Sequence, residues 1–172
     1  MRLAENTTIL DERLGPNFRL GEFTRSDYAD RFGIDNTPRP AELECLRFQV
    51  RTIWQPARDY FRRWIQITSG FRCPELNALA GGVADSGHVL GCAGDGQVVG
   101  VAHVDLARWI AAHCDFDEVA VEYMRRGSRW VHVYTRPWER SPQKRELLTI
   151  EDLGGRKRTH AGLLTFEEAK AA

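Results

Sequence analysis

Two histidines and one aspartate in this sequence could together hold a catalytic metal ion. His88 and Asp95 lie seven residues apart, among glycines and small residues, and His132 follows far downstream in Trp130-Val131-His132-Val133. The alternation around His132 is typical of a strand. Two imidazoles and one carboxylate form the ligand set of an open zinc centre, which keeps a fourth position for water. Because zinc lowers the pKa of that water to about 7, hydrolysis is the leading chemistry.

The composition favours one globular domain without a strongly charged surface. The chain has 172 residues, of which 42% are hydrophobic, and its 24 basic residues balance its 24 acidic residues. No net field therefore steers it toward nucleic acid or an anionic membrane. No apolar run approaches the ~20 residues of a membrane span, and the first residues lack the apolar core of a secretory signal. We expect synthesis as a soluble cytoplasmic protein.

The four cysteines, Cys45, Cys73, Cys92 and Cys114, have no CxxC spacing. Their apolar or tight contexts predict free buried thiols instead of a disulfide framework. Cys92 lies between His88 and Asp95, so a cysteine hydrolase built on Cys92 and His88 is an alternative chemistry. A thiol inside a metal-binding turn is rarely free to attack a substrate, which disfavours that alternative.

The apolar spacing predicts helices and strands that would position these residues. Apolar residues from Leu43 to Phe61 recur every three or four positions, which indicates a long helix that Pro56 interrupts. Ile65-Gln66-Ile67-Thr68 alternates as a strand, and a short helix follows from Pro74. A second helix is expected near residues 105–113, with Asp105 as its cap.

Residues 118–124 and 130–134 are predicted to form a hairpin with Gly127 in its loop. If the loop spans residues 126–128, Glu122 falls directly opposite His132 on the same face of the sheet. Residues 1–16 have no clean period and are expected to form an arm. Residues 17–150 form the predicted domain, and residues 151–172 form a peripheral tail.

Several ordered motifs resemble the zinc D-Ala-D-Ala carboxypeptidase family of metallopeptidases, especially its small phage peptidoglycan endopeptidases. The resemblance runs from about Phe18 to Val133. The motifs are Ile34-Asp35-Asn36-Thr37-Pro38, Ile67-Thr68-Ser69-Gly70-Phe71-Arg72, Pro74-Glu75-Leu76-Asn77, Gly81-Gly82, Ser86-x-His88-x-x-Gly91-x-Ala93-x-Asp95 and Trp130-x-His132-Val133.

The resemblance implies an α+β fold, hedgehog or D-Ala-D-Ala carboxypeptidase-like, with a small antiparallel sheet that carries the zinc site and packs against helices. It implies that His88, Asp95 and His132 bind one Zn²⁺. Arg72 and Ser86 would then bind the carboxylate or carbonyl of a peptidoglycan stem peptide. A guanidinium is a bidentate donor to carboxylates, which suits Arg72 to that role.

Glu122 is our candidate for the general base, which would take a proton from water and return it to the leaving amine. Many relatives place that acid three residues before the last histidine, where this chain has Arg129. Two further positions depart from the family pattern. Gly87 replaces a polar residue before the first ligand, and Tyr134 replaces a smaller polar residue two positions after the last.

Other histidines offer weaker candidate sites. His103 and Asp105 lie two residues apart at a helix start, where capping by Asp105 explains the pair better than a metal does. His113 closes the same helix, where the helix dipole favours a histidine.

The sequence therefore predicts a zinc peptidase that hydrolyses peptide bonds in bacterial peptidoglycan, as a D-Ala-D-Ala carboxypeptidase or an endopeptidase such as an endolysin. The alternative is a non-catalytic phage structural or wall-binding protein that uses the same zinc-stabilised fold. An enzyme made without a signal peptide would reach the wall by phage-mediated release or as a virion component.

Overall fold

The computed structural model describes residues 11–136, 144–152 and 155–172. It is an α+β fold in which helices pack against one six-stranded sheet. The helices are α1 Leu20–Thr24, α2 Asp27–Phe32, α3 Pro40–Gln49, α4 Gln55–Phe61, α5 Pro74–Leu79, α6 His103–His113 and α7 Phe166–Ala171. The strands are β1 Ile65–Ser69, β2 Ala93–Val98, β3 Glu118–Met124, β4 Arg129–Tyr134, β5 Glu146–Asp152 and β6 Arg158–Ala161. None of the helices in these ranges has the length and apolar content of a membrane span.

The sheet is mixed, which corrects the prediction of an antiparallel sheet. Its strand order is β1-β2-β4-β3-β5-β6, and β5 runs parallel to β3 while the other neighbouring pairs are antiparallel. Strand β4 already has β2 and β3 on its two sides, so the next strand along the chain pairs with the free edge of β3. Because β5 reverses the direction of β4, it must run parallel to β3.

The predicted long helix is confirmed, with a change of winding before its proline. Residues Val50–Trp54 form a π-helical turn between α3 and α4, and the Gln55 N–H bonds to the Val50 carbonyl five residues back. Pro56 has no N–H to donate and its ring crowds the carbonyl four residues back. A widened turn at this point accommodates the proline while the helix continues.

Strand β2 packs closely on this helix because it carries glycine on both sides of Asp95. A β-carbon at Gly96 would lie 3.0 Å from the Trp54 ring, and one at Gly94 would overlap the Gln49 side chain. Buried Gln49 donates from Nε2 to the Cys92 carbonyl at 2.8 Å and accepts from Trp54 Nε1 at 2.8 Å. These contacts fix the distance between β2 and the helix, and they leave Asp95 on the opposite face of the sheet.

The two faces of the sheet have different roles. Val119, Val121, Val131 and Val133 are fully buried in the core cluster, together with residues of α3, α4 and α6. Successive residues of a strand point to opposite faces. Asp95, Glu122 and His132 therefore lie on the face away from this core.

The C-terminal residues extend the same sheet. The predicted boundary after residue 150 falls inside β5, β6 pairs with β5, and Ala169 of α7 is fully buried in the core cluster. Most of the predicted N-terminal arm, residues 1–10, lies outside the described residues, while Leu14 is buried. The division into arm, domain and tail stays a prediction.

Gly91→Ala is expected to destabilise the fold more than Gly33→Ala. Both glycines have positive φ, +69° and +66°, but only at Gly91 would a β-carbon meet backbone, at 2.5 Å from the Glu42 carbonyl oxygen. Each substitution should cost about 1–2 kcal/mol for the left-handed conformation. Gly91→Ala should cost about 1–3 kcal/mol more for the forced contact. Urea unfolding in the presence of a chelator measures the difference, and equal losses would contradict the packing assigned to Gly91.

Candidate metal centre

His88, Asp95 and His132 come together at the centre of the sheet. Asp95 of β2 pairs directly with His132 of β4, and His88 reaches them from the loop before β2. One potential ligand atom from each residue lies within 4.8 Å of the others. His88 and Asp95 are both only 5% exposed, and His132 is half-buried. The arrangement could hold a metal ion.

His88 is oriented by the backbone of the Gly70 turn. Its Nδ1 lies 2.6 Å from the Gly70 carbonyl oxygen, and its Nε2 lies 3.5 Å from Asp95 Oδ2. When Nδ1–H donates to the carbonyl and Nε2 is not protonated, the Nε2 lone pair is free to bind a metal ion. A β-carbon at Gly70 would lie 2.5 Å from the Phe23 carbonyl oxygen, so only glycine allows α1 to pack against this turn.

Asp95 and His132 form a close, buried pair. Asp95 Oδ1 lies 2.7 Å from His132 Nδ1. Burial opposes the charged form of Asp95, but the charge of His88 and hydrogen bonds from both histidines outweigh it and lower the pKa of Asp95. Burial likewise opposes the charged form of His132, but the Asp95 hydrogen bond and nearby carboxylates raise the pKa of His132 overall. The site thus stabilises positive charge beside the Asp95 carboxylate.

Arg72 contacts the same carboxylate from the side. Its Nε donates to Ser69 Oγ at 2.9 Å, and its Nη2 lies 3.4 Å from Asp95 Oδ2. Buried Asn36 fixes the backbone on both sides of Arg72: its Nδ2 donates to the Phe71 carbonyl at 3.0 Å, and its Oδ1 accepts from the Cys73 N–H at 2.7 Å. Arg72 is therefore held at the wall of the site.

Ser86 shapes the loop that carries His88. Its Oγ accepts from the His88 N–H at 3.3 Å, and its carbonyl accepts from the Val89 N–H at 3.0 Å. These contacts form a local turn just before the first histidine. The predicted contact between Ser86 and substrate stays a prediction.

The predicted register of the hairpin was wrong by two residues. Ala120, not Glu122, lies opposite His132, and Glu122 pairs with Trp130. The three-residue turn lies one position earlier than expected, at Arg125–Gly127, because the Met124 N–H bonds to the Ser128 carbonyl around a 3₁₀ turn. A shift of two residues preserves the face of each side chain. Glu122 therefore still shares the face of His132, as its diagonal neighbour.

Residues of the candidate metal centre affect the pKa of Glu122. Burial raises the pKa of Glu122, the charge of His132 opposes that rise and the charge of Asp95 adds to it. A carboxylate with a raised pKa exchanges protons more readily near neutral pH. Glu118 lies on the same face, opposite Tyr134, and also raises the pKa of His132.

Arg129 does not lie on the face of the sheet that carries the metal centre. It lies one residue before Trp130 in β4 and pairs with Tyr123, so it belongs to the opposite face. Its guanidinium lies over the Phe166 ring, 4.2 Å from the ring centroid. In this fold an acid at position 129 would not face the metal-binding group, and the arginine there leaves that group unchanged.

The two other departures from the family pattern are in contact with each other. A β-carbon at Gly87 would lie 2.6 Å from Cδ2 of Tyr134 and 3.0 Å from the β-carbon of Ala93. The Tyr134 ring thus occupies the space that a side chain at position 87 would need. The glycine before His88 and the tyrosine after His132 are thus packed against each other in the wall of the site.

His103 and His113, the other histidines considered as candidates, lie outside the metal-binding group. His103 Nε2 lies 3.1 Å from Gln97 Oε1, and His113 Nδ1 lies 2.8 Å from the Trp109 carbonyl oxygen at the end of α6. Asp105 does not cap α6 as predicted, because the helix begins at His103 with Ala102 as its cap residue. Asp105 lies in the first turn, where its charge still suits the helix dipole.

Sequence reasoning missed three residues that position the site: Asn36, Gln49 and Gly70. Asn36 and Gly70 lie inside the motifs that carried the resemblance, but their spacing gave no sign of a partner. Gln49 is a fully buried polar residue within an apolar helical repeat. A polar residue at such a position was the available signal.

The comparisons agree with this geometry. A family model described as peptidase M15 matches residues 16–134, more than half of the chain and all three residues of the candidate metal centre. The chain therefore belongs to the peptidase M15 family, the zinc D-Ala-D-Ala carboxypeptidase family of metallopeptidases. A search of curated proteins found no match.

Cys92 and Cys114 are expected to react slowly with iodoacetamide in the native protein, while half-buried Cys73 reacts first. Burial raises the pKa of Cys92, and it raises the pKa of Cys114 to about 11. Thiolate fraction and access both control alkylation, so the difference should exceed about tenfold. Mass spectrometry of digests measures it, with urea-unfolded protein as the control in which all four cysteines react. Fast alkylation of Cys92 in the native protein would support the alternative of a cysteine hydrolase built on Cys92 and His88.

Proposed function

We propose that this protein is a zinc peptidase that hydrolyses amide bonds in the stem peptides of bacterial peptidoglycan. The observation that carries the proposal is the convergence of His88, Asp95 and His132 within the span matched by the peptidase M15 model. Membership of the family supports the hydrolysis of peptide bonds. The side chains of His88, Asp95 and His132 could bind the metal ion that this reaction uses.

The donor set suits zinc. Zinc is commonly bound by imidazole nitrogens and carboxylate oxygens, and catalytic centres use three protein ligands. The Gly70 carbonyl at His88 Nδ1 and the Arg72 guanidinium at Asp95 supply the surrounding contacts that orient such ligands. When bound, zinc would polarise the scissile carbonyl and lower the pKa of a water molecule.

Glu122 is the proposed general base. It lies on the same face as His132, and burial raises the pKa of its carboxyl group. In the proposed reaction Glu122 takes a proton from the attacking water and delivers it to the nitrogen of the leaving amine. The carboxylate is regenerated at the end of the cycle.

Arg72 and Ser86 are the proposed substrate contacts. Arg72 is half-buried, and Ser69 and Asp95 hold its guanidinium beside the metal-binding group. A guanidinium in that position suits the carbonyl or the terminal carboxylate of a D-alanine peptide. Ser86 lies at the entrance to the His88 loop, where its hydroxyl would contact the peptide backbone.

We further propose that the enzyme is encoded by a phage or prophage, as the resemblance of its motifs implies. The enzyme would reach the wall by phage-mediated release or in a virion. Release of free D-alanine from defined muropeptides would identify a carboxypeptidase, and release of larger peptides would identify an endopeptidase.

Wild-type protein is expected to bind one equivalent of zinc through the three site residues. Replacing His88 or His132 with alanine should weaken zinc binding by more than about 100-fold, because a three-ligand site loses a direct ligand. Equilibrium dialysis with elemental analysis measures the stoichiometry. His113→Ala is the matched control, since His113 lies at the end of α6 outside the site, and it should bind zinc like wild type. Full zinc binding by His88→Ala and His132→Ala would overturn the centre.

Glu122→Gln is expected to lower kcat on purified cell walls by about 10²–10⁴-fold while the protein keeps its zinc, because the amide cannot accept the proton. Glu118→Gln is the matched control from the same strand and face, and it should retain most activity. Dye release from labelled walls gives the rates, and a chelator should abolish hydrolysis by wild type. Equal rates for Glu122→Gln and wild type would remove Glu122 from the mechanism.

The same assay separates the enzyme from its alternative. A wild-type protein that binds one equivalent of zinc but releases no wall peptide would be a non-catalytic wall-binding or structural protein.

A further inference from the structure

A cavity of about 550 Å³ lies beside the candidate metal centre. One wall is the strand β1 with the preceding Trp64, and the opposite wall is formed by α1, α2 and the residues between them. Leu76 and Ala80, at α5, close one side. Its volume falls in the range of small-ligand sites, about 300–1,000 Å³.

Arg72 and Ser69 connect this cavity to the metal-binding group. Both residues line the cavity, and the Arg72 guanidinium also lies 3.4 Å from Asp95 Oδ2. A stem peptide that contacts Arg72 through a carbonyl group, and not through its terminal carboxylate, can continue from the metal-binding group past Arg72 into the cavity. The cavity is placed to hold a part of the substrate that does not react.

Two exposed aromatic rings line the cavity. Trp64 is 57% exposed and Tyr28 is 54% exposed. The Trp64 backbone is fixed by a 3.2 Å hydrogen bond from the Val99 N–H to its carbonyl. The Tyr28 ring stacks on Phe32, with ring centroids 6.3 Å apart. The backbone of Trp64 and the ring of Tyr28 thus have fixed partners, while more than half of each residue remains exposed to a ligand.

Polar side chains accompany these rings. Glu22, Arg25, Gln66 and Thr68 line the same cavity and supply carboxylate, guanidinium, amide and hydroxyl groups. Flat apolar surfaces beside hydrogen-bonding groups suit pyranose rings, whose C–H faces stack on aromatic rings and whose hydroxyl and acetamido groups need polar partners. An apolar peptide side chain would take these polar groups out of water and offer them no further hydrogen bonds, which costs binding energy.

We infer that this cavity binds the amino-sugar units of the glycan strand to which the stem peptide is attached, with Trp64 and Tyr28 as the stacking surfaces. The inference rests on the proposed peptidoglycan substrate. It adds that the enzyme recognises glycan and peptide together, so that a glycan-linked peptide is a better substrate than the same peptide alone.

The test compares zinc-loaded wild type with Trp64→Ala, Tyr28→Ala and Trp64→Phe. Binding of a β-1,4-linked tetramer of N-acetylglucosamine is measured by calorimetry, and hydrolysis is measured on glycan-linked muropeptides and on the free stem peptide. Tyr60→Ala is the matched control, because Tyr60 is 61% exposed but does not line the cavity. Circular dichroism and thermal unfolding verify that each variant is folded.

Each alanine variant at the cavity is expected to weaken tetramer binding and raise KM for the glycan-linked substrate by about 3- to 10-fold. Hydrolysis of the free peptide should not change, and Trp64→Phe should recover most of the affinity. No tetramer binding by wild type, or equal effects of Trp64→Ala on both substrates, would overturn the inference. Tetramer binding that depends on Trp64, without hydrolysis of either substrate, would support the glycan site and refute the proposed peptidase.

Discussion

The register between β2 and β4 is the constraint on which the site depends. It places Asp95 directly opposite His132, and a slip of one residue would turn one of the two to the core face. Contacts away from the site hold this register. The Cys92 carbonyl accepts from Gln49 Nε2 at 2.8 Å and from the Thr135 N–H at 3.0 Å, so the helix and the end of β4 both fix the start of β2. The buried helix thus determines the geometry of residues that it does not touch.

Gly87 and Tyr134 pack against each other in the wall of the candidate site. Tyr134 lies two residues after His132 on the same face of β4, and its ring fills the space beside Gly87. The ring at position 134 leaves no room for a side chain at position 87. The contact that orients His88 comes from the Gly70 carbonyl and not from residue 87.

Strand alternation explains where the charged residues of the hairpin point. Arg129 belongs to the face opposite His132 and stacks over Phe166 of α7, so it neither supplies nor disturbs a proton-transfer group. Glu122 and Glu118 lie on the site's face, and both affect the titration of His132. Glu122 on β3 thus lies on the same face as His132, whereas a residue at position 129 of β4 does not. The C-terminal helix has its own role, because Phe166 covers Arg129 on the far side of the sheet.

The sequence by itself determined the three candidate ligands, the family, the α+β class and the main elements, because ligand type, motif spacing and apolar period are local properties of the chain. It also predicted the face of the sheet on which Glu122 lies, because a register error of two residues does not change the face of a side chain. Only the tertiary structure decided the hairpin register, the parallel pairing of β5 with β3, and the contact between Gly87 and Tyr134. It also revealed how Asn36, Gln49 and Gly70 position the site. These features depend on turn geometry and on partners distant in sequence, which a local pattern does not encode.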